Sequence, residues 1–265
     1  MKSVINGIAV NRFGQPSNKP VVFIHGFPYD YTMWHNQIEF LKQEYFCVAY
    51  DVRGLGESEV GGGQYMLEHF VDDLLSVVKE LELIKPILCG ISMGGYIALR
   101  AVERNQELFG GLILCDTKSE ADNDNAKLTR ANNIKMINEE GLVKFTEMFV
   151  TNCFADETPK QNEKMFQSTL YKSQQNTTLG VKGCIIAILS RTDTTNFLPS
   201  INLPTLLICG SFDKLTPPPV MRAMAEKIPN SEFASIPFAG HMPPLENPDC
   251  LNDLIKGFLE RKFIS

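Results

Sequence analysis

Residues 87–96 read ILCGISMGGY, an apolar run that stops at Ser92, with Gly90 two positions before it and Gly94 and Gly95 just after. Glycine weakens strands and helices alike, so three of them around one hydroxyl point to a demand made by the backbone. The segment Gly90-Ile91-Ser92-Met93-Gly94 fits G-x-S-x-G. In that pattern a strand turns at once into a helix with a strained serine at the apex, and bulky side chains two positions either way would collide. The flanks agree: PILCGI reads as a buried strand, and MGGYIALRAVERN as the helix after it. A hydroxyl so placed projects above a sheet. The Met93 N–H, at the helix N-terminus, points into the same space and can stabilise an anion.

Outward from this stretch, short apolar runs alternate with amphipathic ones. VINGIAV, with Asn6-Gly7, reads as an opening hairpin. PVVFIHG, YFCVAYDVRG, FGGLILCDT and LPTLLICG read as strands that are apolar almost without alternation. That pattern fits parallel strands covered on both faces, and strand–helix alternation fits a wound α/β sheet. The rhythm breaks between Lys118 and Phe197, where the patterns are helical and no buried strand is evident. The expected fold is therefore α/β, with a mostly parallel sheet and helices on both faces. Residues 1–117 and 198–265 form its core, and residues 118–197 form a helical insert over the carboxyl ends of the strands, where such sheets bind ligands.

The totals narrow the function classes. The 265 residues suit one α/β domain with a modest insert, and 44% hydrophobic with 21% charged residues is ordinary globular usage. A net charge of −6 without a basic tract argues against nucleic acid as a partner. MKSVINGIAV has no long apolar leader region, and CIIAIL at Cys184–Leu189 is far too short to span a bilayer. The expectation is a cytoplasmic protein without membrane contact. Its seven scattered cysteines, none in CxxC spacing, read as reduced core thiols rather than a zinc site. No ligand cluster points to a metal or an organic cofactor. Rival glycine motifs fail: Gly94 is followed by Gly95 where a P-loop needs lysine, and RGLGESE carries Glu59 where a dinucleotide fingerprint needs glycine.

A serine needs a base. Of four histidines, His69 and His35 lie in helical patterns and read as surface or rim residues. His25 ends a strand and reads as a residue that orients the turn there. His241, in FAGHMPPLENP, follows the last strand and can reach the apex. The base in turn needs an acid to hold its tautomer. Asp213 in LLICGSFDKLTPP and Asp116 in LILCDT both sit just past strand ends. Asp213 is favoured, with Asp116 expected near the mouth of the site. HGFP at His25–Pro28 lets the backbone turn beneath a substrate, so the Phe27 N–H joins that of Met93 as a donor to an oxyanion. Apolar candidates for contact with substrate are Tyr29, Met148, Phe149, Phe154 and Met242.

With these pieces in chain order, the sequence resembles the α/β-hydrolase superfamily over nearly its whole length, through VVFIHGFPYDYTMW, DVRGLGES, GISMGGYIAL, GSFDKLTPP and GHMPPLENP. It is most similar to capped bacterial esterases and lactonases of the 3-oxoadipate enol-lactonase type. The resemblance implies a triad of Ser92, Asp213 and His241, oxyanion donors at Phe27 and Met93, and a cap over residues 118–197. It implies hydrolysis of a small carboxylic ester or lactone, without a cofactor. Similar epoxide hydrolases and haloalkane dehalogenases carry aspartate where this chain has Ser92, and the lipase-type HGGG loop is replaced by HGFP. C–C bond hydrolysis, perhydrolysis and a ligand sensor with little turnover use the same framework and stay open at this stage.

Overall fold

A computed structural model describes residues 1–263. At one edge of the sheet, β1 (Lys2–Ile5) and β2 (Ile8–Phe13) form the expected antiparallel hairpin. Asn6 and Gly7 take φ of 48° and 82°, the left-handed pair that a two-residue hairpin turn requires. The remaining strands are β3 (Pro20–Ile24), β4 (Phe46–Tyr50), β5 (Ile87–Ile91), β6 (Gly111–Cys115), β7 (Thr205–Gly210) and β8 (Ser231–Ile236). These six pair in parallel, and the eight-stranded sheet runs in the order β1-β2-β4-β3-β5-β6-β7-β8.

Both faces are covered, which is why the strands read as continuous apolar runs. Successive side chains point to opposite faces. Val22, Val48, Leu88, Leu112 and Leu207 join the core beneath α2 (Leu67–Glu80), α3 (Met93–Asn105) and α9 (Pro218–Ala225). Val21, Cys47, Ile87, Ile113 and Leu206 join the opposite core, beneath α1 (His35–Leu41) and α11 (Pro248–Phe263). All seven cysteines are free, as expected. Among the described residues, no helix is long and apolar enough to cross a membrane.

The strand order places the site. From β3 the chain goes outward to β4 and then crosses back to β5 on the other side of β3. The connections diverge above the carboxyl ends of β3 and β5, and open sheets hold ligands in that crevice. β3 runs into His25-Gly26-Phe27, and β5 ends at Ile91, one residue before Ser92.

Between β6 and β7 lie α4 (Asp124–Glu140), α5 (Leu142–Cys153), α6 (Thr158–Gln161), α7 (Glu163–Gln174) and α8 (Thr178–Leu189). Gly141, at φ 92°, separates α4 from α5 within what the sequence presents as one helical stretch. α8 is apolar nearly all round and largely buried. Its Gly180 and Gly183 approach the backbone carbonyls of Gly54 and Gly63 so closely that no Cβ fits.

An ion pair ties the start of this insert to its end. Arg191 Nη2 meets Asp122 Oδ1 at 2.7 Å, with the two side chains 2% and 1% exposed. Arg191 also donates to the Glu120 and Ile188 carbonyls and stacks 4.3 Å from the centre of the Tyr96 ring. A buried pair stripped of one partner leaves an uncompensated charge. Asp122→Ala is therefore expected to cost about 3–5 kcal/mol in denaturant unfolding, and a loss below about 1 kcal/mol would show that the pair behaves as a surface contact.

Candidate active site

Ser92 takes φ 52° and ψ −116°, a conformation that a side-chain-bearing residue holds only when its surroundings impose it. Three hydrogen bonds do so. Its N–H donates to the Cys115 carbonyl at 3.0 Å, and its own carbonyl accepts from Tyr96 N–H at 3.1 Å and from Thr117 Oγ1 at 2.9 Å. The flanking glycines are steric necessities: a Cβ on Gly90 would strike the Gly94 carbonyl, and one on Gly94 would strike that of Ile24. Met93 opens α3, so its N–H is one of the first-turn donors that a helix leaves free.

The loop after β3 lies against this turn, since a Cβ on Gly26 would sit 3.4 Å from that of Ser92. His25 fixes the loop as its position foretold. Its Nε2 accepts from Val52 N–H at 2.8 Å, which leaves the protonated Nδ1 to donate to the Gly26 carbonyl at 2.8 Å. The Phe27 ring meets Phe149 edge-on at 5.3 Å, and Phe149 stacks on Phe145 at 5.6 Å. Two α5 side chains therefore brace this loop. The other two histidines stand apart: His69 caps α2 by accepting from Met66 N–H, and His35 lines a separate cleft.

Asp213 and His241 come together at the carboxyl end of the sheet. Asp213 Oδ2 accepts from His241 Nδ1 at 2.8 Å and from Thr216 Oγ1 at 2.6 Å. Its Oδ1 accepts from the Leu215 and Thr216 N–H groups at 2.8 and 3.1 Å. Burial alone would raise this carboxyl; the charge and hydrogen bond of His241, with those from Thr216, outweigh it and hold Asp213 well below the usual carboxylate range. With Nδ1–H committed to Asp213, Nε2 is the imidazole atom left to accept a proton. His241 and Ser92 line the same cavity of about 110 Å³.

Asp116 is not at the mouth of the site. It is fully buried behind Asp213, at φ 42°, and Gly210 N–H donates to its Oδ1 at 2.8 Å. A carboxylate oxygen from each of Asp116 and Asp213 and a ring nitrogen of His241 lie within 4.8 Å of one another. Burial, then the Asp213 charge, push the Asp116 carboxyl well above the usual range, against the lowering effect of the Gly210 bond. The expectation failed because a strand end shows where the backbone stops but not how deeply the next side chain is covered.

The substrate-contact candidates divide. Phe149 lines the Ser92 cavity. Met148, one residue earlier on α5, is turned by the helix onto another face and lines an outer cleft of about 780 Å³. Tyr29 belongs to a third cleft, of about 390 Å³, between α7 and the turn before α1, away from Ser92 and His241. Phe154 and Met242 are each 1% exposed; Phe154 packs edge-on against Phe166, and Met242 stands buried at the start of α10 (Pro243–Glu246). Both are core residues. Tyr96, Ile188 and Leu215 line the cavity without any signal in the sequence, as do the cations Lys118 and Arg130. Burial, then the Arg191 charge, lower the Lys118 pKa from its usual value.

Glu246 also went unseen. Its carboxylate accepts from Ala155 N–H and Thr158 Oγ1 through Oε1, at 2.8 and 2.6 Å, and from Gly240 and Met242 N–H through Oε2, at 2.8 and 3.2 Å. Together with the His241 N–H bond to the Cys153 carbonyl at 2.7 Å, it clamps the His241 loop to the end of α5. Nothing in PPLENP foretells this, because the partners lie up to 91 residues away.

Residues 19–248 match the family model described as alpha/beta hydrolase fold. Over 246 residues the chain is 28% identical to 3-oxoadipate enol-lactonase 1 of Acinetobacter baylyi, covering 92% of this chain and 90% of the relative. It is 25% identical over 249 residues to 3-oxoadipate enol-lactonase 2 of the same organism, covering 94% and 91%. Among solved structures it is similar to a thermophilic esterase from Thermogutta terrifontis with malate bound, at 33% identity and a TM-score of 0.93 over 98% of each chain.

Two outcomes follow from the buried carboxylates. Glu246→Ala strands four donors and is expected to cost about 2 kcal/mol or more. Amide hydrogen exchange at residues 240–242 should rise sharply in that variant, and unchanged protection would contradict the clamp. For Asp116, folding raises the carboxyl pKa, so the folded chain binds the extra proton. Its contribution favours folding below the unfolded value, about 3.9, and is lost as pH climbs toward the folded value. Asparagine cannot ionise and tolerates positive φ well. Asp116→Asn should therefore raise Tm more at pH 8 than at pH 5, whereas an equal change at both would show that the carboxyl holds no extra proton.

Proposed function

The chain belongs to the alpha/beta hydrolase fold family, and on that footing we propose that it hydrolyses a small carboxylic ester or lactone through an acyl-enzyme formed on Ser92. The observation that carries the proposal is the 2.8 Å bond between His241 Nδ1 and Asp213 Oδ2, together with the single cavity lined by His241 and Ser92. The likeness to an esterase and to two enol-lactonases supports the same bond type.

His241 Nε2 takes the Ser92 hydroxyl proton as Oγ attacks the carbonyl carbon. The carbonyl oxygen gains the negative charge and accepts from the Phe27 and Met93 N–H groups. Donors already aimed at that oxygen cost no reorganisation in the transition state; one of them is worth roughly 10²–10³ in kcat. The tetrahedral centre then collapses. Its bond to the alcohol oxygen breaks, and that oxygen takes the proton from His241. In a lactone the alcohol stays tethered to the acyl chain. Water gives a proton to His241, adds to the acyl carbon and releases the acid, and Ser92 Oγ regains its proton. Asp213 stays ionised throughout and stabilises the imidazolium. Phe27, Phe145 and Phe149 shield the donor loop from solvent.

A fluorophosphonate probe with mass mapping, followed by a panel of short-chain esters and small lactones, tests this reading. A single adduct on Ser92 is expected, and Ser92→Ala should lose on the order of 10⁶ in kcat. Near-normal turnover in that variant, or labelling elsewhere, would overturn the assignment.

A further inference from the structure

Ser92 lines a small cavity that opens into a large cleft. The cavity is about 110 Å³ and the outer cleft about 780 Å³, and Lys118, Arg130, Phe149 and Leu215 line both. An ester on Ser92 sends its two halves in different directions. The alcohol departs first, while the acyl group stays bonded to Oγ. The half that leaves belongs on the side that opens outward. The alcohol therefore lies toward the cleft, and a short acyl group fills the inner cavity.

The walls of the cleft are built unlike a protein interior. α4 turns Ala126, Thr129, Arg130 and Asn133 toward it, at the spacing that puts residues on one helix face. α5 answers with Glu147, Met148, Thr151 and Asn152. A helical stripe turned toward neighbouring elements is ordinarily apolar; the one on α4 carries a hydroxyl, a guanidinium and an amide. Asn133 is only 8% exposed, yet among the described residues no group hydrogen-bonds its side chain. Buried polar side chains are nearly always bonded, so the Asn133 amide is left to bond what enters the cleft.

The mixture of groups selects the ligand chemistry. The amides of Asn133 and Asn152 each donate and accept, while Lys118 and Arg130 only donate. Glu147 only accepts, and among the described residues it forms no ion pair. Lys214 and Asp156 are paired with each other. An anionic group would meet Glu147, and a cationic one would meet Lys118 and Arg130. A hydroxyl is neutral and both donates and accepts, so several of them on one ring use the whole set. Met148 and Leu215, 45% and 37% exposed, with Phe149 beside them, offer an apolar bed for the C–H face of such a ring.

We propose that the alcohol half of the substrate is a polyhydroxylated ring, so that the preferred esters are sugars or cyclic polyols carrying a short acyl group. The proposal deepens the hydrolase reading and rests on it for the reaction: one water is consumed, and the free acid and the deacylated polyol are released.

Methyl glucoside acetylated at its primary hydroxyl and cyclohexylmethyl acetate make the comparison. Both carry the same acetyl ester on the same ring size, and only the first ring bears hydroxyls. Turnover is followed by proton release in a pH-stat. The wild-type protein is expected to favour the sugar ester by about ten-fold or more in kcat/KM. Asn133→Leu nearly keeps the side-chain volume and removes the amide, and it should cut that preference about five-fold or more. Because the readout is a ratio, partial misfolding of a variant cancels; should Asn133→Leu fail to fold, Asn152→Ala, at an exposed position, takes its place. A wild-type preference short of about ten-fold, with Ser92-dependent turnover intact, would overturn the polyol site and leave the hydrolase reading standing. So would a preference that the variant does not lower. If neither ester is turned over, the hydrolase reading falls, and saturation-transfer NMR with methyl glucoside decides the site alone. Saturable binding that the variant weakens supports the polyol site, and binding that is absent or unchanged by the variant overturns it.

Discussion

The strained backbone at Ser92 is the constraint on which the rest depends. A residue with φ 52° and ψ −116° does not hold that geometry alone. The β5–β6 ladder supplies a bond to its N–H, α3 and Thr117 supply bonds to its carbonyl, and two glycines clear the volume that side chains would fill. Holding such a residue costs of order 1–3 kcal/mol, which the surrounding parallel sheet is rigid enough to sustain. The gain is placement. The hydroxyl stands at the crevice between β3 and β5, beside the loop fixed by His25, without any flexible segment carrying it there.

The imidazole is placed by a different principle. His241 sits on a loop after the last strand, where rigidity must come from tertiary contacts. Three of them stand out: Asp213 on Nδ1, the Cys153 carbonyl on its N–H, and the Glu246 carboxylate on the neighbouring Gly240 and Met242 amides. Two of the three connect to the end of α5, so the helical insert does more than cover the site. It sets the position of the His241 imidazole, and through Phe145 and Phe149 it braces the loop that carries Phe27. The buried Arg191–Asp122 pair closes the insert at its root.

What the sequence disclosed follows from this division. Steric demands leave residue types behind. Gly90 and Gly94 announce the turn, Asn6-Gly7 the hairpin, and the unbroken apolar runs a sheet covered on both faces. Strand-end positions were enough to bring Ser92, Asp213 and His241 into one list. Depth and direction left no such mark. Asp116 has the same local setting as Asp213 yet lies behind it. Met148 and Phe149 are neighbours in sequence and both border the outer cleft, yet only Phe149 reaches the Ser92 cavity. Tyr29, Phe154 and Met242 have the composition of pocket walls, but the first lines another cleft and the other two are core. Glu246 finds its partners, and Lys118 and Arg130 line a space, that only the folded chain assembles.

The most direct measurement is a crystal structure of the protein phosphonylated by a small organophosphonate, which mimics the tetrahedral centre of acyl transfer. Phosphorus is expected to be bonded to Ser92 Oγ, with its free oxygen about 2.7–3.1 Å from both the Phe27 and Met93 nitrogens and His241 Nε2 within hydrogen-bond reach of the adduct. An adduct whose oxygen points away from those two amides, or an imidazole turned out of reach of Oγ, would contradict it.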